Sequence, residues 1–141
     1  MNRIRNGQSG FTLIEIMLVV VIIGILMTVV VVKLGGRQED ARKTAAGADV
    51  RAYGQALDLY ELDNGFYPTT EQGLKALEAK PTTPPEPRNW KGYLQSGLRK
   101  DPWSTDYIYK YPSERRGSGY DLYSLGLDRV EGTEDDITNW K

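Results

Sequence analysis

The feature that most constrains this sequence is an apolar segment close to its N-terminus. From Phe11 to Val32 it contains 22 residues and a single charge, that of Glu15. As an α-helix with a rise of about 1.5 Å per residue, the segment is roughly 33 Å long, enough to cross a bilayer core of about 30 Å. Its length and composition alone therefore predict a membrane anchor.

Glu15 and the residues before the segment do not fit an ordinary anchor. A carboxylate this early in an apolar helix is costly in lipid and needs a partner. The first ten residues carry Arg3 and Arg5 but no acid, and they end in Ser9-Gly10. The positive charges predict a cytoplasmic leader and an exported C-terminal part. A secretory signal is cleaved after its apolar region, whereas here the small residues precede it.

The string Gly10-Phe11-Thr12-Leu13-Ile14-Glu15, placed directly before such a run, resembles the class III signal sequence of type IV pilins and pseudopilins. The resemblance implies that a membrane prepilin peptidase cleaves between Gly10 and Phe11, and that the new Phe11 amine is N-methylated. It also implies that Glu15 faces the Phe11 amine of a neighbouring subunit in a filament. Such a pair is physically reasonable because an ammonium group makes a buried carboxylate tolerable.

The overall composition excludes several classes of function. The chain has 18 basic and 19 acidic side chains and contains neither histidine nor cysteine. The absence of these residues excludes disulfides, thiol nucleophiles, zinc sites of the usual kind and a Ser-His catalytic pair. The charge balance gives no indication of a nucleic-acid surface. The sequence also lacks a Gly-x-x-x-x-Gly-Lys-Ser/Thr phosphate-binding loop.

The apolar segment is followed by Lys33, whose ammonium group can reach the membrane interface, and by Gly35-Gly36. Two consecutive glycines lower helix propensity by roughly 1 kcal/mol each. We interpret them as a soft joint within a long helix, with a plain loop as the alternative. Many pilins and pseudopilins have a proline at the position of Val32, which this chain lacks.

A second helical stretch is predicted over residues 38–64, ending at Gly65 as a left-handed cap. An apolar stripe at helical spacing predicts a buried face made of Ala46, Val50, Tyr53, Leu57 and Tyr60. An adjacent stripe of small residues is expected to pack against the protein's own sheet, and it comprises Ala41, Ala45, Ala48, Ala52 and Ala56.

The remaining sequence predicts a small α+β head. Thr69 and Gln72 form a capping-box pattern that predicts a short helix over residues 70–79, with Leu74 and Leu77 facing inward. A proline-rich loop follows at residues 81–87. Strands are predicted at residues 107–111 and 120–124, joined by a turn at 115–119, with an edge strand at 137–140. The fold class is thus α+β, a long N-terminal helix packed on a small antiparallel sheet.

Three further strings extend the resemblance over nearly the whole chain from Gly10 onward. The strings at residues 67–74, 100–103 and 120–126 are similar to those of the major pseudopilin of type II secretion systems, the general secretion pathway protein G family. The resemblance implies a type IV pilin-like fold with a leader at residues 1–10, a transmembrane and filament-core helix at 11–34, and a periplasmic head at 35–141.

The same resemblance implies a function and partners. The protein would be a structural subunit, not an enzyme, of a homo-oligomeric pseudopilus. This filament helps drive folded proteins through an outer-membrane secretin. Its partners would be the prepilin peptidase, minor pseudopilins and the secretion platform with its cytoplasmic ATPase. The subunit would be a single-pass protein of the inner membrane of a Gram-negative bacterium, with its head in the periplasm.

Two alternatives have to be considered. The first is a type IV pilin for adhesion, motility or DNA uptake, which shares the leader and Glu15. Many such pilins close their C-terminal region with a disulfide, so the lack of cysteine favours the pseudopilin. The second is a membrane-anchored periplasmic enzyme, in which carboxylates would form an acid–base pair, with Asp121, Asp128, Asp135 and Asp136 as candidates.

The acidic loop at residues 125–136 is the candidate metal site. It holds five carboxylates in nine positions, and a solvated surface turn is the ordinary fate of such a run. Hard oxygens without histidine or thiol suit Ca²⁺, which takes 6–8 oxygen ligands. The resemblance implies calcium at this place, bound by the carboxylates of Asp128, Asp135 and Asp136 and by the carbonyls of Leu125, Val130 and Thr133. The loop lacks the EF-hand pattern, and Arg129 follows the first ligand.

Overall fold

The computed structural model describes residues 10–140, and between residues 29 and 35 it describes the backbone only. The described elements are α1 (Leu13–Asn64), α2 (Lys75–Glu78), β1 (Ile108–Lys110), β2 (Asp121–Ser124) and β3 (Ile137–Thr138). The three strands form one antiparallel sheet in the order β1-β2-β3. The predicted α+β class is confirmed. The leader residues before Gly10, including Arg3 and Arg5, lie outside the described residues.

Helix α1 is a single element of 52 residues. Gly35 and Gly36 have helical backbone, so the alternative of a plain loop at this point is wrong. The softness of this joint stays a prediction, and the side chain of Lys33 lies outside the described part. The chain divides into two compact units, Met1–Glu39 and Asp40–Lys141.

In the first unit, α1 presents apolar side chains to the surroundings on all sides. Every large apolar side chain from Phe11 to Met27 is exposed, from Phe11 at 83% to Ile22 at 46%. Among the described residues, no helix includes a stretch that is both long and apolar enough to cross a membrane.

In the second unit, the predicted buried face of α1 is confirmed. Its five members are at most 3% exposed, and they are Ala46, Val50, Tyr53, Leu57 and Tyr60. This face packs with aromatic side chains of the sheet and of the segments beside it; for example, the rings of Tyr53 and of Tyr107, which directly precedes β1, are 5.3 Å apart, edge to face. The helix ends as predicted, because Gly65 has φ of +82° and its amide donates to the Glu61 carbonyl.

The prediction for the alanine stripe is wrong for four of its five members. Ala41, Ala45, Ala48 and Ala52 are exposed, and only Ala56 is buried. The physical reason is that the sheet and loops cover one face of α1. The four exposed alanines lie beside that face and outside the part of it that the described residues bury.

The reciprocal bonds of the predicted capping box are present, but they close a turn before α2, whose N-cap is Leu74 without a side-chain cap. The Thr69 amide donates to Oε1 of Gln72 at 3.1 Å, and the Gln72 amide donates to Oγ1 of Thr69 at 3.2 Å. The helix is shorter than predicted, since regular α-helix begins only at Lys75. Gly73, with φ of +60°, interrupts the first turn. Leu74 and Leu77 are buried, as predicted.

The central strand β2 positions the candidate site. Its four residues are all buried, and Tyr123 pairs with Ile108 on one side and with Thr138 on the other. The edge position predicted for the last strand is confirmed, although β3 is only two residues long. The acidic loop connects β2 to β3 and is therefore anchored to the sheet at both ends.

Candidate functional site

Gly10 and Phe11 are exposed and are separated from the first residue of α1 by Thr12 alone. A Cβ atom built on Gly10 meets no other atom within 4 Å, and Phe11 is 83% exposed. The bond between these two residues is thus unobstructed by other described parts of the chain. This exposure is what a processing enzyme needs from its substrate.

Glu15 has a local partner that the sequence reasoning missed. The Thr12 amide donates to Oε2 of Glu15 at 2.8 Å, and the Glu15 amide donates to Oγ1 of Thr12 at 3.3 Å. These reciprocal bonds form a capping box, for which the Thr-x-x-Glu pattern was an available signal. In the isolated subunit, the Glu15 carboxylate therefore satisfies an amide of its own helix terminus.

The acidic loop begins from a buried polar anchor. Ser124, the last residue of β2, donates its hydroxyl hydrogen to Oδ2 of Asp101 at 2.5 Å and accepts a bond from the Gly126 amide at 3.2 Å. Asp101 is 4% exposed, and its Oδ1 accepts from the amides of Trp103 and Thr105. The sequence reasoning did not assign a role to Asp101 or Ser124. In the sequence, the only indication of their importance was that they belong to the family-like segments at residues 100–103 and 120–126.

Two of the predicted ligand residues, Asp128 and Asp135, are joined inside the loop by a bond from the main chain of one to the side chain of the other. Oδ2 of Asp135 accepts from the Asp128 amide at 3.1 Å, and Oδ1 accepts from the Thr133 hydroxyl at 2.6 Å. Oδ1 of Asp128 accepts from the Val130 amide at 2.8 Å. The Thr133 hydroxyl, followed by the Asp128 amide, lowers the pKa of Asp135 to about 2, so this carboxylate is ionised at neutral pH.

The third predicted carboxylate is only partly satisfied by the described residues. Asp136 is 8% exposed, and its Oδ2 accepts from the Gly132 amide at 2.8 Å. Its Oδ1 is buried and accepts no hydrogen bond from residues 10–140. A buried carboxylate oxygen without a donor costs free energy unless a proton or a cation satisfies it.

The predicted carbonyl ligands are spread along the same loop. Leu125 directly follows β2, and the Val130 carbonyl accepts from the Thr133 hydroxyl at 3.3 Å, which closes a tight turn. Within residues 10–140, no group of three or more histidine, cysteine, aspartate or glutamate side chains is arranged to hold a metal ion. A cation at this loop would consequently need backbone carbonyls as well as carboxylates.

Comparison with protein families gives two matches along the chain. A family model described as "Type II secretion system (T2SS), protein G" matches residues 33–140. A second model, the prokaryotic N-terminal methylation motif, matches residues 5–31. Together these two models account for most of the sequence.

Comparison with individual proteins gives similarities over nearly the full length. The chain is 51% identical over 135 residues to the type II secretion system core protein G of Pectobacterium carotovorum subsp. carotovorum, covering 94% of this chain and 85% of that protein. It is 51% identical over 141 residues to the protein of the same name in Pseudomonas aeruginosa, covering 96% and 97%. Among solved structures, the major pseudopilin from the type 2 secretion system of enterohaemorrhagic Escherichia coli matches with a TM-score of 0.65 and 47% identity. That match covers 76% of this chain and 93% of the crystallised one.

Proposed function

Because this chain belongs to the type II secretion system protein G family, we propose that it is the major structural subunit of a pseudopilus, a periplasmic filament that helps drive folded proteins through an outer-membrane secretin. The observation that carries the proposal is that the family model and the methylation motif match adjacent parts of one chain, residues 33–140 and 5–31. The type IV pilin alternative is not favoured, since the similar proteins of Pectobacterium carotovorum and Pseudomonas aeruginosa both carry the protein G name.

The N-terminal part supports a processed, membrane-anchored subunit. In this proposal a prepilin peptidase cleaves between Gly10 and Phe11, and Phe11 is then N-methylated. The apolar residues of α1 lie in the inner membrane of a Gram-negative bacterium before assembly, and the second unit lies in the periplasm. The exposure of every large apolar side chain from Phe11 to Met27 suits a segment surrounded by lipid or by neighbouring helices.

Glu15 selects the position of the subunit in the filament. In lipid, the capping box with Thr12 satisfies part of the carboxylate's hydrogen-bonding capacity but leaves its charge uncompensated. Next to the Phe11 amine of a neighbouring subunit, that charge gains an opposite one. An unpaired carboxylate in an apolar bundle costs several kcal/mol, so misplaced subunits are disfavoured.

The second unit offers an additional self-assembly surface, which we call the exposed stripe of α1. It has the spacing 4-3-4-3-4-3, all of its members are exposed, and it consists of Ala41, Ala45, Ala48, Ala52, Gln55, Leu59 and Leu62. Leu62 is 78% exposed and Leu59 is 53% exposed. This heptad-like spacing is that of helices that pack side by side, and the small residues permit close approach. A second copy of the chain is the partner that a homo-oligomeric filament supplies.

The acidic loop is proposed to bind Ca²⁺ in the second unit. The residues fit this cation, because the donors are hard oxygens and Oδ1 of Asp136 is buried with no hydrogen bond from the part of the chain that the structure describes. Asp128, Asp135 and Asp136 would hold the cation with their carboxylates, and Leu125, Val130 and Thr133 with their carbonyls. The cation would neutralise the mutual repulsion of the loop's carboxylates and couple loop order to the stability of the head.

The enzyme alternative has little support from the candidate carboxylates. Asp121, which is 1% exposed, accepts bonds from the Ser113 hydroxyl and from the amides of Glu114 and Arg115, and so holds the hairpin turn. Asp128 and Asp135 are engaged inside the acidic loop. We therefore propose a structural role, with the prepilin peptidase, minor pseudopilins, and the secretion platform and its cytoplasmic ATPase as partners.

The proposal can be tested by genetic complementation. Deletion of the gene should stop secretion of folded exoproteins, and the wild-type gene should restore it. Ala48→Asp, which places a charge on the exposed stripe, should give a stable, processed subunit that does not restore secretion. Ala79→Asp is the matched control, because Ala79 is also exposed but lies outside the stripe. Normal secretion in the deletion strain would contradict the proposed function.

A further inference from the structure

We propose that Glu131 and Arg129 are positioning residues for Ca²⁺: they hold the backbone between them, and with it the Val130 carbonyl, in the geometry that the cation requires. The proposal rests on the proposed function, since it presupposes that the acidic loop binds calcium. Neither residue belongs to the predicted ligand set. Both are charged side chains of the loop that point to other parts of the head.

Glu131 ties the loop to the sheet. Its Oε1 accepts a hydrogen bond of 2.7 Å from the hydroxyl of Tyr123 on β2 and lies 3.3 Å from Nζ of Lys110 on β1. Nη2 of Arg115, from the hairpin turn, lies 3.6 Å from the same oxygen. The Tyr123 hydroxyl, followed by Lys110, holds the pKa of Glu131 below its ordinary value. Glu131 thus accepts hydrogen bonds from Tyr123 and Lys110 and forms a longer ion pair with Arg115.

The surroundings of Arg115 and Tyr123 extend this anchor to the C-terminal segment. The Arg115 guanidinium lies over the Trp140 ring, 5.9 Å from its centroid, and the Trp140 and Tyr123 rings meet edge to face at 5.3 Å. Glu131 therefore contacts a set of side chains that are themselves held by packing, rather than a single exposed lysine. Such an arrangement fixes the orientation of the Glu131 side chain better than an isolated ion pair on the surface would.

Arg129 attaches the loop to the segment that contains Trp103. Its Nη2 donates a hydrogen bond of 2.8 Å to the carbonyl oxygen of Trp103, a residue that is 5% exposed. The Trp103 amide is in turn bonded to Asp101, the buried anchor at the base of the loop. Arg129 itself has φ of +59°, a left-handed conformation that is unfavourable for a side chain of this kind. The hydrogen bond to a fixed carbonyl helps to compensate for this local cost.

The two anchors flank Val130 in sequence, and this is why they bear on cation binding. A backbone carbonyl has no rotamers of its own, so its direction is set by the φ and ψ angles of the loop. Anchoring residues 129 and 131 to different elements fixes those angles around Val130. The turn is then completed by the Thr133 hydroxyl, which donates to the Val130 carbonyl, and by the Gly132 amide, which donates to Asp136. Partners of this outer kind typically change metal affinity by about 10–100-fold.

The test is calcium titration of the full-length chain in detergent micelles by isothermal calorimetry, after removal of bound cations with a chelator. Glu131→Gln and Arg129→Gln should each weaken calcium binding by about tenfold or more. Glu134→Gln is the matched control, because Glu134 is an exposed loop carboxylate outside the anchors described above, and it should bind as the wild type does. The melting temperatures of the same variants in chelator show whether a loss of calcium affinity comes from a displaced carbonyl ligand or from a general loss of stability.

The possible results distinguish a failure of the positioning role from a failure of the calcium site itself. No calcium binding by the wild type would overturn the proposed cation site itself. Wild-type binding together with unchanged affinity in Glu131→Gln and Arg129→Gln would overturn only the positioning role. An affinity loss that merely follows a large fall in the melting temperature without calcium would also overturn it, because Glu131 and Arg129 would then serve general stability. A selective loss of affinity, with the folded state intact in chelator, supports it.

Discussion

Thr12 and Glu15 cap the N-terminus of α1 reciprocally, with each main-chain amide donating to the other residue's side chain. The Glu15 carboxylate consequently has two separable roles. It caps its own helix, and in the proposed filament it pairs with the Phe11 amine of a neighbour. A glutamine keeps the geometry of the capping box but carries no charge, which allows the two roles to be tested apart.

Both Glu15→Gln and Glu15→Ala are expected to be cleaved and retained in the membrane but to assemble poorly. The reason is that each removes the charge that pairs with the Phe11 ammonium group of a neighbour, although only alanine also removes the cap. Sheared-filament yield and exoprotein secretion are the measurements. Normal assembly of Glu15→Gln together with failure of Glu15→Ala would attribute the effect to capping and contradict the charge pair.

Gly10→Val should leave uncleaved precursor in the inner membrane. The physical reason is that a peptidase must approach the backbone closely at the cleaved bond, and a branched side chain at position 10 obstructs it. Mass spectrometry of the membrane-associated protein reads out the result directly. The wild-type chain should begin at Phe11 and carry one added methyl group. A wild-type chain beginning at Met1, or normal cleavage of Gly10→Val, would refute the assignment of the leader.

Calcium should raise the melting temperature of the full-length protein in detergent relative to a calcium-selective chelator. At a calcium concentration about 100-fold above Kd, binding to the folded state alone contributes about 2.7 kcal/mol. Asp128→Ala and Asp136→Ala should abolish this difference, whereas the control Glu134→Ala should retain it. Equal melting temperatures with calcium and with chelator, or an undiminished rise in both aspartate variants, would count against the site.

Gly126→Ala should destabilise the head strongly. Gly126 has φ of +66°, and a Cβ atom there would lie 2.5 Å from the Asp135 carbonyl oxygen. Gly117→Ala is the matched control, since Gly117 has φ of +74° but open space around it. The left-handed conformation costs alanine about 1–2 kcal/mol at either site, and only Gly126 adds a clash with backbone. Urea unfolding should therefore show a clearly larger loss for Gly126→Ala. Equal losses would contradict the close packing of the loop.

The ion pair between Asp63 and Lys91, with Nζ 2.9 Å from Oδ1, should give a small, predictable pH dependence of stability. The hydrogen bond from Lys91 lowers the pKa of Asp63 below its ordinary value. Because the folded pKa is the lower one, this contribution is present above about pH 4 and is lost as the pH falls through the folded value. Asp63→Asn should make the melting temperature less sensitive to pH in this acidic range. An unchanged pH profile would show that the pair does not contribute.

The buried half of the head was predictable because its determinants are local. The stripe from Ala46 to Tyr60 repeats at helical spacing. The side chains of Thr69 and Gln72 each accept a hydrogen bond from the main-chain amide of the other residue. Gly65 ends the helix in a left-handed conformation. Each of these patterns involves only a few neighbouring residues or one face of one helix. The sequence alone is therefore sufficient to predict them. The sequence segments that resemble the family are also visible without a structure.

The acidic loop shows the limit of such reasoning. Its carboxylates are evident in the sequence, but the contacts that tie the loop to the rest of the head are not, because they join residues from separate parts of the chain. Glu131 contacts Lys110 and Tyr123, and the base of the loop depends on the contact of Ser124 with Asp101. Contacts of this kind form only once β1, β2 and the turn at residues 101–105 have been assembled.

The sequence by itself determined the helix, the strands, the family and the candidate residues, since periodicity, capping patterns and family strings are properties of the chain. Only the tertiary structure decided which face of α1 is covered. Two neighbouring stripes on one helix are equally compatible with burial as sequence patterns. The core of the head packs on the side of Leu57 and Tyr60 and leaves Ala45, Ala48 and Ala52 exposed, because elements that pack on one side of a helix bury only that face.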